Sequence, residues 1–275
     1  MSRFAYLGPA GTHSHRALLS IIGPEDETEP CATIEEVFTA VERGKVEFGL
    51  VPIENSVEGA VNATLDSLAF DSELEIQQEV VRDIHHALCV APGVTLAEVT
   101  QIVSHPQALA QSRRWITSNL LGKPVVAATS TAEAVRMATE QPGVAAIGSE
   151  FAAETYGAEV LFDSIEDYAG NQTRFVLIGR GMHERTGEDK TSLALFMKAD
   201  RPGTLNMILS EFAFAGINLT KIQSRPTRKA LGDYMFFIDL IGHVDDENVR
   251  LALDCLRLKL RRVKVLGSYP RAVKA

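Results

Sequence analysis

Six consecutive residues, Gly170-Asn171-Gln172-Thr173-Arg174-Phe175, bring an amide, a hydroxyl, a guanidinium and a phenyl ring to the start of the apolar run Phe175-Val176-Leu177-Ile178. A guanidinium grips a carboxylate through parallel N–H donors, so Arg174 suits an anionic ligand. Thr173 can donate or pass a proton, and Phe175 can keep water off one wall. A strand that merely opens on a polar turn, with Arg174 paired to a structural acid, would carry the same residues. Whether other polar groups reach the same place separates the two readings.

Several stretches have that capacity, each where a strand hands over to a helix. Arg3 to Leu7 alternates as a strand and feeds Gly8-Pro9-Ala10-Gly11-Thr12-His13-Ser14, whose free main-chain N–H groups and positive helix end attract anions. The strand Phe48 to Ile53 ends at Glu54-Asn55-Ser56, and Val57 to Val61 is expected to open the next helix. The strand Gln101-Ile102-Val103 delivers Ser104-His105-Pro106-Gln107. Polar groups at such junctions sit where open α/β sheets bind ligands. An N-cap would use some of the same side chains, His105 among them. Glu54 is expected to be structural, because a carboxylate facing an anion is unfavourable. His85 and His86 are adjacent on a strand, point to opposite faces and cannot easily share a metal, so they are taken as structural or interfacial. No Walker lysine and no full dinucleotide fingerprint is present, and no metal or cofactor is expected.

The elements that must position these groups alternate. Helix starts are marked at Thr33-Ile34-Glu35-Glu36, Thr95-Leu96-Ala97-Glu98 and Ser130-Thr131-Ala132-Glu133. Short apolar strands lie between them, at Val125-Val126-Ala127 and Val144 to Gly148 among others. Such alternation predicts an α/β fold with a mainly parallel sheet covered on both faces. The charged, apolar-poor run at 181–190 is predicted to be a linker. After it the order becomes βαββαβ, the ferredoxin-like arrangement, with Leu205, Ile208, Leu209 and Phe212 on one helix face and Val249, Leu253, Leu256 and Leu260 on the other helix. So small a core is expected to dock or to pair with a second copy.

Composition excludes several classes. The chain has 275 residues, and 36 acidic against 27 basic side chains leave a net charge of −9, without the clustered basic face that nucleic acid needs. Three dispersed cysteines rule out a disulfide framework and fit a reducing cytoplasm. The N-terminus is a strand rather than a signal peptide, and no apolar run reaches membrane-spanning length, so neither a membrane nor nucleic acid is an expected partner.

Taken together and in order, Gly8 to Ser14, Pro52 to Gly59, Ser104 to Leu109 and Asn171-Gln172-Thr173-Arg174-Phe175 resemble the prephenate dehydratase family, and the C-terminal segment resembles an ACT domain. The resemblance implies a two-lobed catalytic domain of the type II periplasmic-binding-protein kind over 1–180, with lobe one at about 1–75 and 150–180 and lobe two at 76–149. It implies a regulatory ACT domain over 191–275. The activity implied is a carbon-oxygen lyase reaction: prephenate loses water and CO2 to give phenylpyruvate on the way to phenylalanine, with no cofactor. Thr173, Arg174 and Phe175 would be catalytic, while Asn55, Ser56, Ser104, His105, Gln107 and Asn171 would hold the substrate. L-Phenylalanine would act as feedback effector near Pro202, Gly203, Thr204, Leu205, Asn218, Leu219, Ser224, Arg225 and Pro226, between modules of a homodimer or homotetramer. The chain departs from the family pattern in carrying Gly203-Thr204-Leu205-Asn206 for Gly-Ala-Leu-Val and Gln223 for the glutamate before Ser224-Arg225-Pro226. Alternatives are an arogenate dehydratase, which works on the aminated substrate, and a non-catalytic amino-acid sensor.

Overall fold

The computed structural model describes residues 1–199, 201–227 and 234–272. Residues 200, 228–233 and 273–275 of the expected ACT span lie outside the described residues. By contacts the chain divides into two units, one of Met1–Val61 with Val81–Phe175, the other of Asn62–Val80 with Val176–Ala275.

In chain order the first unit begins with β1 (Arg3–Leu7), α1 (His13–Leu19), β2 (Glu27–Cys31), α2 (Ile34–Glu42), β3 (Phe48–Asn55) and β4 (Gly59–Ala60). The second unit then contributes α3 (Asn62–Asp66), and β5 (Glu75–Asp83) leads back. β6 (Ala87–Val90), β7 (Gln101–Ser104), α4 (Pro106–Gln111), α5 (Arg113–Asn119), β8 (Val125–Ala127), α6 (Thr131–Glu140), β9 (Val144–Gly148), α7 (Glu150–Tyr156) and β10 (Glu159–Phe162) follow. β11 (Gln172–Gly179) closes the series.

Two sheets form this unit. The first runs β2-β1-β3-β11-β5, the last two entering with the ends that belong here, Gln172 to Phe175 and Val81 to Asp83. β1 is parallel to β2 and to β3. Its Phe4, Ala5 and Tyr6 are all buried, as expected of a strand covered on both faces. The second sheet runs β10-β6-β9-β7-β8. Here β7 is parallel to β8 and β9, while β6 runs against both β9 and β10. The expectation of a mainly parallel sheet therefore needs one correction. β6 is reached from β5 without a helix crossover, so nothing holds it to the parallel direction.

Both faces of the second sheet are covered. Ala87, Cys89, Val103 and Ala146 pack under Ala132, Val135 and Ala152 of α6 and α7, and Leu88, Val90, Ile102 and Ile147 pack on the opposite side. α6 approaches closely at Gly148, where a Cβ would stand 2.2 Å from Val135 Cγ2.

The helix expected from Val57 does not form. The Asn55 side-chain Oδ1 accepts from the Val57 and Glu58 N–H groups, Gly59 takes φ +85°, and the chain folds back as β4 on β3. An Asx turn outbids helix initiation here.

The second unit continues with β12 (Asp189–Phe196), α8 (Thr204–Phe214), β13 (Leu219–Pro226), β14 (Tyr234–Ile241), α9 (Glu247–Lys259) and β15 (Arg262–Pro270). Its sheet runs β13-β14-β12-β15, antiparallel throughout, which is the predicted βαββαβ arrangement. One face buries Leu193, Leu195, Phe236 and Ile238 against Ile208, Phe212, Leu253 and Leu256 of the two helices. Residues 62–80 pack against this sheet as well: Phe70 meets Phe196 edge-on at 5.8 Å, and Gly267 lies so close to Ile76 that a Cβ would fall 2.4 Å from its carbonyl oxygen. The run expected as a linker is held down. Its Thr186 hydroxyl and the Thr186 and Gly187 N–H groups donate to the Asp189 carboxylate at 2.6–2.9 Å.

Candidate active site

A cleft of ≈ 290 Å³ opens within the first unit, between the ends of its two sheets. The first sheet supplies Asn55 from β3, Thr173 and Phe175 from β11, and the turn into α1 at Thr12, His13 and Ser14. The second supplies His105 and Gln107 at the start of α4, Gln111 at its end, and Thr129 to Thr131 at the start of α6. His86 completes the wall. No Asp, Glu, Lys or Arg is among the lining residues, so the wall is neutral wherever its histidines are. Such a wall meets an anion through N–H and O–H donors and repels it with no carboxylate.

The donors are ordered by one side chain. Asn55 is 8% exposed, and with its oxygen taken by Val57 and Glu58 its Nδ2 faces β11. It donates to Asn171 Oδ1 at 2.7 Å and to Thr173 Oγ1 at 2.9 Å. Thr173 is therefore an acceptor toward Asn55, and among the described residues its own proton is given to no other group. Asn171, its oxygen taken, donates through Nδ2 to Gln111 Oε1 at 3.2 Å. The same Gln111 oxygen lies 2.9 Å from His86 Nε2, which must carry a hydrogen to satisfy it. His86 Nδ1 and His13 Nε2 are buried without a partner among the described residues. The two rings meet edge-on at 6.4 Å.

Burial holds both imidazoles neutral. Loss of solvent, then the nearby His86, Arg16, His85 and Arg82, drives the His13 pKa down to about 4. Burial also lowers that of His86, against the opposing Gln111 hydrogen bond and the Glu166 charge. The sign of the linkage follows. In the unfolded chain these histidines protonate near about pH 6.5, in the folded chain only lower, so the unfolded state binds more protons in between. The melting temperature is expected to hold above that value and to fall as pH drops toward about 4. Replacing His13 with Phe should flatten the drop, and thermal melts across that range check it.

Six of the nine residues expected in the catalytic cleft line it: Asn55, His105, Gln107, Asn171, Thr173 and Phe175. Three do not. Side chains alternate along a strand, so with Thr173 and Phe175 facing the cleft Arg174 faces away, its Nη1 3.6 Å from Glu54 Oε2. Arg174, expected to grip a substrate carboxylate, is not among the lining residues and pairs with Glu54 instead. Ser56 clips β3 to β11: its Oγ accepts from the Gln172 N–H at 2.8 Å and its own N–H donates to Gln172 O at 2.8 Å. Ser104 is fully buried and donates to Ile147 O inside the second sheet. Sequence reasoning missed His13, His86 and Gln111. A histidine facing inward beside the buried run Ala87 to Val90 was the available signal, since buried polar groups need partners.

The expected effector residues all lie in the second unit. Pro202 to Leu205 start α8, with Gly203 at φ +86°. Ser224 to Pro226 lie at the end of the sheet where β12 stops and β14 begins, as the pairs Phe196↔Met235 and Arg225↔Met235 place them. Asn218 and Leu219 lie at the opposite end, Leu219 facing Leu240, about 20 Å away along β13. Arg225 is also committed: its guanidinium grips the Asp66 carboxylate with two nitrogens and Asn62 Oδ1 with a third at 2.6 Å. In this chain it clasps β13 to α3.

A family model described as prephenate dehydratase matches residues 4–183, and one described as ACT domain matches residues 191–254. The chain is 43% identical over 271 residues to a bifunctional chorismate mutase/prephenate dehydratase of Aquifex aeolicus, covering 98% of this chain and 74% of that one. The solved prephenate dehydratase of Arthrobacter aurescens in complex with L-Phe is 37% identical, with a TM-score of 0.88 over 99% of this chain and 93% of that chain. GqqA, described as a novel type of quorum quenching acylase, is 31% identical with a TM-score of 0.87 over 98% of both chains. The first family match takes in the whole cleft wall, from Leu7 to Phe175. The chain belongs to the prephenate dehydratase family.

Proposed function

We propose that the cleft removes water and CO2 from prephenate to give phenylpyruvate, a carbon-oxygen lyase reaction, under control of L-phenylalanine. The observation that carries this reading is the polarity of Thr173: Asn55 donates to its oxygen, so its own proton is free for a ligand oxygen. Prephenate is a dianion with a ring hydroxyl. Departure of that hydroxyl and of the ring carboxylate leaves an aromatic ring, and aromatisation drives the step without a redox group.

The wall suits each part of such a molecule. Thr173 holds the leaving oxygen by a hydrogen bond that strengthens as charge develops there. The start of α6 at Ser130 and Thr131, together with Gln107 and Asn171, offers donors to the carboxylates. Phe175, 2% exposed, keeps water from the carboxylate that is lost. Arg174, turned to Glu54, ties β11 to β3 and keeps Thr173 in register.

L-Phenylalanine comes to this chain from the Arthrobacter aurescens relative, solved with it bound. The candidate effector residues are split between the two ends of one sheet, so a site using both groups needs two copies side by side. A homodimer is the smallest such assembly. The test is turnover of prephenate, followed by phenylpyruvate absorbance, with increasing phenylalanine and with arogenate as the alternative substrate. Phenylpyruvate formation that falls as phenylalanine rises is the expected result. No turnover of prephenate would overturn the reading.

A further inference from the structure

Dehydration of a dianion consumes a proton. Prephenate with two negative charges plus one proton equals phenylpyruvate with one negative charge, CO2 and water. Thr173 can point a hydrogen bond at the leaving oxygen, but an aliphatic hydroxyl is too weak an acid to surrender its proton outright. Some other group at the cleft wall has to supply it. The lining residues include no carboxylic acid and no lysine, and three histidines are its titratable members.

His105 caps α4, its Nδ1 accepting from the Gln107 N–H at 3.3 Å, so one of its two nitrogens is already held by the main chain. His13 is buried and flanked by Arg16 and Arg82, whose charges oppose its protonation. His86 is placed differently. It is 3% exposed, its ring lines the cleft, its Nε2–H is fixed on Gln111 Oε1, and its Nδ1 is buried without a partner among the described residues. The direction of that bond follows from the Val57 and Glu58 amides through Asn55, Asn171 and Gln111, so the ring can gain a proton only at Nδ1.

We propose that His86 is the catalytic acid, giving its Nδ1 proton to the departing hydroxyl while Thr173 holds the oxygen in place. The inference rests on the dehydratase reading. The C–O bond breaks with its electron pair on oxygen, that oxygen takes the Nδ1 proton and leaves as water, and the C–C bond to the ring carboxylate breaks to release CO2, its pair entering the ring. The imidazolium becomes imidazole and is recharged from solvent.

The surroundings favour loading the acid only with substrate present. In the empty cleft burial keeps His86 neutral. A dianion placed in the same dry space favours the charged ring. Glu166 accepts from the His86 main-chain N–H at 2.9 Å, Glu58 stands beyond Gln111 at 3.4 Å, and Glu150 and Asp163 line the small pocket on the outer side of the ring, all on the favourable side. His13 and His85 oppose it when charged.

The test is the pH profile of kcat for the full-length protein and for His86→Gln. Glutamine keeps an N–H able to reach Gln111 but has no titrating nitrogen, so a purely positioning role would survive the change. The expected result is a wild-type kcat that falls on the alkaline side and a His86→Gln kcat lower by about 10²–10⁴-fold, flat with pH, at little-changed KM. A His86→Gln enzyme with near-normal kcat would overturn the assignment. So would a wild-type kcat that stays level from about pH 6 to about pH 9, a measurement that needs no variant. Wild-type protein making no phenylpyruvate at all would instead overturn the dehydratase reading beneath it.

Discussion

Replacing Thr173 with Ala is expected to lower kcat by about 10²–10³-fold, the usual cost of removing one donor aimed at an oxygen that gains charge in the transition state. KM should move far less, because in the proposed binding mode the carboxylates meet Gln107, Asn171 and the start of α6 rather than Thr173. Serine at 173 should restore most of the rate, since it keeps a hydroxyl able to accept from Asn55 and donate onward. Valine keeps the shape and loses both functions; it should match alanine in rate. Fold and network should persist in each case, as Asn55 Nδ2 still reaches Asn171 at 2.7 Å. Steady-state phenylpyruvate kinetics read all three variants. A Thr173→Ala enzyme with near-normal kcat rejects the role.

The second large effect is on stability. Asp66→Ala is expected to cost about 3 kcal/mol, the scale for breaking a buried ion pair. The side chains are 4% exposed for Asp66 and 18% for Arg225, and the carboxylate takes two guanidinium nitrogens at once. Removing it leaves the guanidinium with Asn62, a neutral acceptor, in a site with little water. The double change with Arg225→Ala should cost less than the two single changes added, because neither charge is then left behind. Urea unfolding followed by far-ultraviolet circular dichroism measures it, and an Asp66→Ala curve lying on the wild-type curve would reject the clasp.

The sequence revealed the junctions better than the directions. Asn55, His105 and Gln107 were legible because polar residues directly after apolar strands mark where an open sheet binds ligands, Asn171 and Thr173 because donors cluster where an apolar strand begins, and all five reach the cleft. Arg174 was misplaced for a reason also present in the sequence: its neighbours on both sides were assigned to the pocket, and a strand with period two cannot put three consecutive side chains on one face. Ser104 and Ser56 show the opposite difficulty. Each is polar at a promising junction, yet a hydroxyl satisfied by a main-chain group in its own fold looks the same in sequence as one left for a ligand.

The pairing of His86 with Gln111 was out of reach because the two lie 25 positions apart and are brought together only by the fold. The expectation that His85 and His86 face opposite ways did hold: the His85 side chain is 63% exposed and His86 is buried. In the ACT domain the βαββαβ order was readable from apolar periodicity alone. The pairing of Arg225 with Asp66 was not, since nothing local ties residues 159 positions apart.

The Asn55 turn also has a bearing on how this protein ages. Asparagine slowly loses ammonia and becomes aspartate, a swap that barely alters size. At most sites the new acid would simply find water. Here the position is nearly sealed, its old carbonyl is already claimed by two main-chain amides, and the replaced nitrogen donated to both Asn171 and Thr173. One spontaneous chemical lesion would thus silence a well-folded molecule, so loss of activity on storage can precede any loss of structure.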